Sequence, residues 1–177
     1  MNDNFKLISI DPGTSTIGVA IWDIDKDFKI QDLSSFTIVI DTKIYTERRI
    51  KIVNEIVYDI INRHRPLQLV HESGFMDRFR PQAFGPIYAT IFMIRQSFKD
   101  LYKYTDDHGI FMYSPKNVKA TVDTGEADKF DMLRAVSTIV EIKPFLTGVE
   151  TEHAIDAIAI GYTHLKNIRE CNELLLL

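Results

Sequence analysis

Acidic side chains stand at three separated places in this chain where an ionised group would be costly to bury. Asp11 and Glu72 each end a short apolar run, and Asp156 lies within the apolar segment 154–160. A buried carboxylate needs a compensating partner, and a metal ion is a natural one. Each residue also has an ordinary alternative. Asp11 fits a turn cap equally well, Glu72 can pair with an arginine, and hydroxyl or backbone groups can hold Asp156.

A fourth ligand can come from the two residues that begin the last apolar segment. Glu152 and His153 precede Asp156 by four and three residues, so on a helix all three side chains can project from one face. Taken alone, His153 is more typical of a helix histidine whose ring is hydrogen-bonded within the protein. Glu152 alone is more typical of an acidic residue in the first turn of a helix, where the helix dipole favours negative charge. The joint placement favours a site made by Asp11, Glu72, Asp156 and either Glu152 or His153.

These donors indicate which metals the site would take. Carboxylate oxygens with one imidazole suit Mg²⁺ or Mn²⁺ better than a closed zinc site. Two such ions about 4 Å apart are the usual arrangement for in-line attack on a phosphodiester. The carboxylates therefore predict two divalent ions per site and phosphodiester chemistry.

The hydrophobic pattern predicts the elements that would bring these residues together. The predicted strands are residues 5–12, 16–24, 32–40, 67–72 and 109–113. The predicted helices are residues 45–64, 82–104, 126–142 and 151–169, and residues 115–125 are predicted as a loop or short turn. This order predicts an α/β fold with a mixed five-stranded sheet (three antiparallel strands, then parallel strands) and helices on both faces. It resembles the ribonuclease H-like folds, in which the ends of strands one and four lie side by side.

Composition limits the class of protein. With 177 residues, 45% hydrophobic and 26% charged, the chain is predicted to form a single domain over 1–177. The net charge of −4 argues against a histone-like DNA coater but not against a nucleic-acid enzyme. The lone Cys171, the lack of a signal-peptide pattern and the lack of a long apolar run predict a cytoplasmic protein without a membrane segment.

Four segments resemble the motifs of RuvC-type Holliday junction resolvases, in the same order and over nearly the whole chain. They are residues 10–18 (IDPGTSTIG), 71–76 (HESGFM), the lysine-bearing segment 115–129 and 153–164 (HAIDAIAIGYTH). The joint pattern is far more specific than any one motif. The composition, rich in isoleucine, aspartate and lysine, fits a phage-encoded member, which would act in the host cytoplasm.

The resemblance implies a catalytic site and a reaction. It places metal ligands at Asp11, Glu72 and Asp156, and the fourth family position, often aspartate, falls on His153, with Glu152 as its substitute. Lys119 joins these residues as a catalytic group that stabilises charge near the scissile bond. The implied protein is a Mg²⁺- or Mn²⁺-dependent endodeoxyribonuclease that acts as a homodimer and nicks Holliday junctions, forks or other branched DNA.

Further residues are predicted to contact the DNA. They are Phe75, Arg78, Arg80, Lys116, Lys119 and Lys129. The phenylalanine would stack on an unpaired base, and the cations would neutralise phosphates. The alternatives are a loop phenylalanine that fills the core and lysines that are merely solvated. Part of the helix at 82–104 is predicted to form the dimer interface, because two symmetric nicks suit a two-fold dimer.

Other functions fit parts of the sequence. One alternative is a branched-DNA binding module that has kept the fold and lost turnover. Another is a YqgF-like nuclease that acts on other nucleic acids. The Asp-x-Gly-Thr-Ser pattern at 11–15 also opens sugar kinases and actin-like ATPases, but those proteins need two such domains and are longer than 177 residues.

Overall fold

The central feature of the molecule is one mixed β-sheet. The structure is a computed structural model that describes residues 4–74 and 84–175. Within these residues the strands are β1 Phe5–Asp11, β2 Thr16–Ile24, β3 Ile30–Val39, β4 Gln68–Glu72 and β5 Ile110–Tyr113. The strand order is β3-β2-β1-β4-β5, with β1, β2 and β3 antiparallel and β4 and β5 parallel to β1. The predicted sheet is confirmed.

Helices cover both faces of this sheet, as predicted. The described helices are α1 Thr46–His64, α2 Phe84–Tyr102, α3 Pro115–Val122, α4 Lys129–Thr138 and α5 Glu152–Leu175, with a short 3-10 helix at Lys143–Phe145. Helices α1 and α2 bury their apolar stripes on one face, and α3, α4 and α5 pack on the other. No helix in the described part of the chain is long and apolar enough to cross a membrane.

Strand β1 is buried on both faces, and its alternation decides where Asp11 points. Ile8 and Ile10 are fully buried in the core beneath α1 and α2, whereas Leu7 lies in the core beneath α5. Ser9 also faces α5, since its Oγ donates to the Ala157 carbonyl oxygen at 2.7 Å. The two-residue period then turns Asp11 toward the same helix.

Two predicted helix ends are confirmed in detail. Helix α1 ends at His64. The next residue, Arg65, caps it with a φ of 50° and donates its backbone N–H to the Ile61 carbonyl, and Pro66 follows. Helix α5 begins after Thr151, whose Oγ1 accepts a hydrogen bond from the Ala154 N–H at 3.3 Å. This helix runs to Leu175, beyond the predicted end near residue 169.

The stretch between β5 and α5 differs from the prediction. Residues 115–122, predicted as loop, form α3, because Ser114 caps the helix and Pro115 occupies its first turn. The helix predicted at 126–142 is shorter. Asp128 and Asp131 form a reciprocal capping box that starts α4 at Lys129, and the chain leaves the helix at Ile139.

Candidate metal centre and active site

The first two candidate carboxylates end neighbouring strands. Ile10 is in parallel register with His71, so Asp11 and Glu72 follow at the same edge of the sheet. Both lie on the face covered by α5, because Ile8 and Ile10 of β1 and Leu69 of β4 occupy the opposite face. The predicted meeting of strands one and four therefore places two acidic side chains in one crevice.

The start of α5 is brought onto these strand ends by an unusually close approach to β2. Gly18 pairs with Asp11 across the β1–β2 ladder. A Cβ atom at Gly18 would lie only 1.8 Å from the His153 carbonyl oxygen. Only glycine therefore allows the first turn of α5 to lie directly over Asp11.

Three side chains converge at this point. Asp11, His153 and Asp156 each offer a ligand atom, and these atoms lie within 4.8 Å of one another. His153 Nδ1 donates to Asp11 Oδ2 at 2.7 Å. All three residues are partly buried, so the cluster is sheltered yet open to a ligand.

Glu72 and Asp156 carry the electrostatic signature of crowded acids. Burial, followed by the charges of Asp11 and Asp156, raises the pKa of Glu72 to about 8. Burial, followed by the charges of Asp11 and Glu152, raises the pKa of Asp156 to about 7. These two carboxyls therefore hold protons near neutral pH that isolated ones would have lost, and a divalent cation could replace those protons.

Neighbouring residues at the start of α5 take different partners. The hydrogen bond to Asp11 raises the pKa of His153, with further increases from the charges of Asp11 and Glu152. Glu152 instead forms an ion pair with Lys129 at the start of α4. The structure therefore brings His153, rather than Glu152, to Asp11.

The predicted lysines occupy different positions around the crevice. Lys119 in α3 is partly buried, and its positive charge lowers the pKa of Glu72 against the larger effects of burial and the neighbouring acids. Lys116 is exposed, and its side chain lies along Gly125. Lys129 borders the crevice through its ion pair with Glu152.

Three further DNA contacts are predicted on the segment between β4 and α2. Phe75, Arg78 and Arg80 lie outside the described residues.

Sequence reasoning assigned no role to two residues that position the site. Gly18 makes room for α5, and Ser9 Oγ joins β1 to the same helix while accepting a hydrogen bond from Trp22 Nε1 at 2.9 Å. A glycine inside an apolar strand is a recognised sign of close approach. A serine in such a strand indicates that it has a buried partner, but not which one.

Comparison with known protein families identifies the family of this chain and its class of activity. The family model of the crossover junction endodeoxyribonuclease RuvC matches residues 7–164. The chain belongs to the RuvC family. This membership confirms the predicted recognition and the predicted activity, a hydrolytic endodeoxyribonuclease of the Holliday junction resolvase type.

Individual relatives agree over nearly the full chain. RuvC of Wolbachia sp. subsp. Drosophila simulans (strain wRi) is 26% identical over 94% of this chain and 97% of its own. The structure of Thermus thermophilus RuvC in complex with Holliday junction substrate has a TM-score of 0.75 at 19% identity, covering 94% of this chain and 96% of that one. Yeast mitochondrial Ydc2, a Holliday junction resolvase, has a TM-score of 0.60 at 10% identity, covering 96% and 85%. The predicted ribonuclease H-like fold is confirmed.

Proposed function

We propose that this RuvC-family chain nicks four-way and related branched DNA by metal-dependent phosphodiester hydrolysis at the crevice of Asp11, Glu72, His153 and Asp156. The single observation that carries the proposal is the convergence of Asp11, His153 and Asp156 within 4.8 Å at the strand edge where Glu72 also ends. The RuvC resolvase of Thermus thermophilus was solved with a Holliday junction, which supports the choice of substrate.

The donor set fits the cofactor that the family implies. Asp11, Glu72 and Asp156 supply oxygen atoms and His153 one imidazole, a mixture suited to Mg²⁺ or Mn²⁺. The raised pKa values of Glu72 and Asp156 are what an acidic site shows before cations neutralise it. Two ions bound here would activate a water and stabilise the leaving oxygen.

The chain's own residues would position the substrate and balance its charge. Lys119, which interacts electrostatically with Glu72, would neutralise the phosphate beside the scissile bond. Lys116 is exposed on the same helix and would contact the phosphate backbone, as would Lys129 at the other side of the crevice.

The chain is further proposed to act as a homodimer. Tyr88 and Phe92 of α2 are 59% and 60% exposed, one helical turn apart. Together with Phe84, Met93 and Ile50 of α1 they line an open apolar groove. An exposed apolar face on one helix is suited to a two-fold interface, which would set two active sites against two strands.

The proposal extends to the organisation and location of the protein. Residues 1–177 are taken as one nuclease domain, since all the described elements pack on a single sheet. Its site of action is taken as the cytoplasm, where it would meet branched DNA, and origin in a phage stays a prediction.

The direct test is cleavage of a synthetic four-way junction. Wild-type protein with Mg²⁺ or Mn²⁺ is expected to introduce paired nicks, and Asp11→Asn is expected to remove them while leaving junction binding intact. Asp27→Asn, an exposed aspartate in the β2–β3 turn, is the matched control and should cleave like wild type. Undiminished cleavage by Asp11→Asn would overturn the assignment.

The same assay separates the two competing functions. A binding module without turnover would retain the junction after metal chelation and give no product at any metal concentration. A YqgF-like nuclease would prefer another nucleic acid, so single-stranded and duplex RNA and DNA serve as competitor substrates. Preference for any of them over the junction would contradict the proposal.

A further inference from the structure

An apolar cavity adjoins the acidic crevice. It measures about 200 Å³ and lies between the first turns of α4 and α5. Phe130, Leu133 and Ile155 form its apolar walls, and Asp156 lines the same space. The cavity is therefore continuous with the proposed catalytic site, and a group that fills it would lie beside the phosphate bound there.

Phe130 is the one aromatic residue among the described residues that line the cavity. Its side chain is 82% exposed, so the ring contributes little to the core. Single exposed apolar residues are common on protein surfaces and need no explanation by themselves. What distinguishes this one is that it shares a cavity with a predicted metal ligand.

The backbone that carries Phe130 is held in place. Asp128 and Asp131 close the start of α4 with a reciprocal capping box. The neighbouring Lys129 forms an ion pair with Glu152 of α5. The ring is consequently presented from a fixed helix end, which lowers the entropic cost of stacking a ligand against it.

The charges around the cavity indicate which part of a nucleotide it would accept. Glu150 and Glu152 both line it, and the one lysine of its lining, Lys129, is paired with Glu152, so the remaining negative charge disfavours a phosphate inside the cavity. The apolar walls and the exposed ring instead favour a flat, uncharged group. The volume of the cavity lies below the roughly 300 Å³ at which pockets for drug-sized ligands begin. A cavity of this size suits a single flat ring system such as one nucleobase.

We propose that Phe130 stacks on the nucleobase of the nucleotide next to the scissile phosphate, with Leu133 and Ile155 forming the floor of this base subsite. This inference rests on the proposed function, because it takes the neighbouring phosphate to be the one cleaved. Phe130 is then a substrate-contacting residue that orients the strand over the acidic site and sets which base is accepted there.

The test combines protein variants with abasic substrates. Single-turnover cleavage and equilibrium binding are measured for wild type, Phe130→Ala and Phe130→Tyr on one junction whose cleavage site has been mapped. The junction is then remade with a single abasic nucleotide at each position flanking the cut. Val140→Ala is the matched control, because Val140 is 86% exposed and does not line the cavity.

The expected result is a loss of about 5- to 150-fold in cleavage or binding for Phe130→Ala, the range of one base–aromatic stack. Phe130→Tyr should retain most of the activity and Val140→Ala all of it. At one flanking position the abasic junction should reduce wild type to the level of Phe130→Ala and leave Phe130→Ala unchanged. Such non-additivity is specific to a direct contact.

Two results would overturn the inference. One is a loss of less than about fivefold for Phe130→Ala. The other is a loss that adds to the abasic effect at every position. If wild type does not nick the junction at all, the proposed function fails first. Single abasic nucleotides at each position around the crossover, read by equilibrium binding to wild type and Phe130→Ala, then decide whether Phe130 stacks on a base.

Discussion

At the scale of single residues, burial and mutual repulsion disfavour the ionised forms of the acids in the crevice. Glu72 and Asp156 have pKa values of about 8 and about 7, against ordinary values of 4.5 and 3.8. Burial is the first cause for each, and the neighbouring acids come second. Bound cations would relieve this repulsion.

This crowding predicts a pH-dependent effect of metal on stability. Because the folded protein holds protons on Glu72 and Asp156 that the unfolded chain has lost, the free energy of unfolding of the metal-free protein should fall as pH rises from about 4 to about 8. Mn²⁺ binds the deprotonated ligands, so the increase in Tm that it causes should grow over the same window. Thermal unfolding with Mn²⁺ or a chelator checks this, and an equal increase at both ends would contradict it.

Glu72→Gln separates the stability of the site from its function. Removing this buried charge should raise the free energy of unfolding of the metal-free protein near pH 8, where wild type pays for the repulsion. The same change should lower junction cleavage by at least about 100-fold, since even indirect supports of a metal site cost 10–100-fold. Glu55→Gln, on an exposed position of α1, is the control for both denaturant unfolding and cleavage.

Substitutions at the adjacent residues Glu152 and His153 are expected to differ in their effect on Mn²⁺ affinity. His153 contacts Asp11, so His153→Ala should weaken Mn²⁺ binding by about 10- to 100-fold. Glu152 pairs with Lys129 on the surface, where an ion pair contributes about 0–1 kcal/mol, so Glu152→Gln should change metal affinity little. Calorimetric titration with Mn²⁺ distinguishes them, and the reverse order would identify Glu152 as the ligand.

At the scale of elements, the site depends on how closely α5 approaches β2. The contact of Gly18 with the His153 carbonyl and the hydrogen bond from Ser9 to the Ala157 carbonyl hold the helix against the strands. His153 and Asp156 reach Asp11 only because the first turn of α5 lies in direct contact with Gly18 of β2. A rigid element therefore carries half of the proposed ligand set.

Gly18→Ala tests this dependence. The added methyl group would overlap the His153 carbonyl, so we expect a loss of about 1–3 kcal/mol in the free energy of unfolding, together with weaker Mn²⁺ binding. Gly85→Ala in α2 is the matched control, since a Cβ atom there meets open space. Denaturant unfolding and metal titration measure the two effects. Unchanged metal affinity in a destabilised Gly18→Ala would show that the approach of α5 does not position the ligands.

Local signals explain which elements the sequence predicts and which it does not. Strands β1 and β4 are short apolar runs that end in an acid, and α1 has an unbroken helical stripe, so their assignment follows directly. Helix α3 was missed although Ser114, Pro115 and the spacing of Val118 and Val122 all indicate a short helix. Short helices gain little from propensity and depend on packing, which a sequence does not display.

At the scale of the whole molecule, the meeting of distant carboxylates follows from strand order, while finer pairings do not. The order of elements predicts that Asp11 and Glu72 end side by side, and the parallel register of β1 and β4 agrees. The ion pair of Glu152 with Lys129 depends on how α4 packs against α5. No local pattern encodes that packing, so the sequence left Glu152 and His153 as alternatives.

The proposed dimer yields a prediction at the same scale. Phe92→Asp places a charge on the exposed apolar face of α2 and should convert the dimer to a monomer in sedimentation velocity. Mn²⁺ binding should persist, because α2 lies on the opposite face of the sheet from α5. Leu67→Asp, at a residue of equal exposure outside that groove, is the control. A wild-type monomer at all concentrations would contradict the dimer.

Direct measurement of Mn²⁺ binding decides the central claim. Calorimetry or electron paramagnetic resonance on wild type should show about two ions per chain, as expected for a two-metal nuclease. Asp11→Asn should lose this binding while keeping its fold, and the exposed Asp27→Asn should retain it. If wild type binds no Mn²⁺, or Asp11→Asn binds it as tightly, the crevice is not a metal site and the mechanism built on it is wrong.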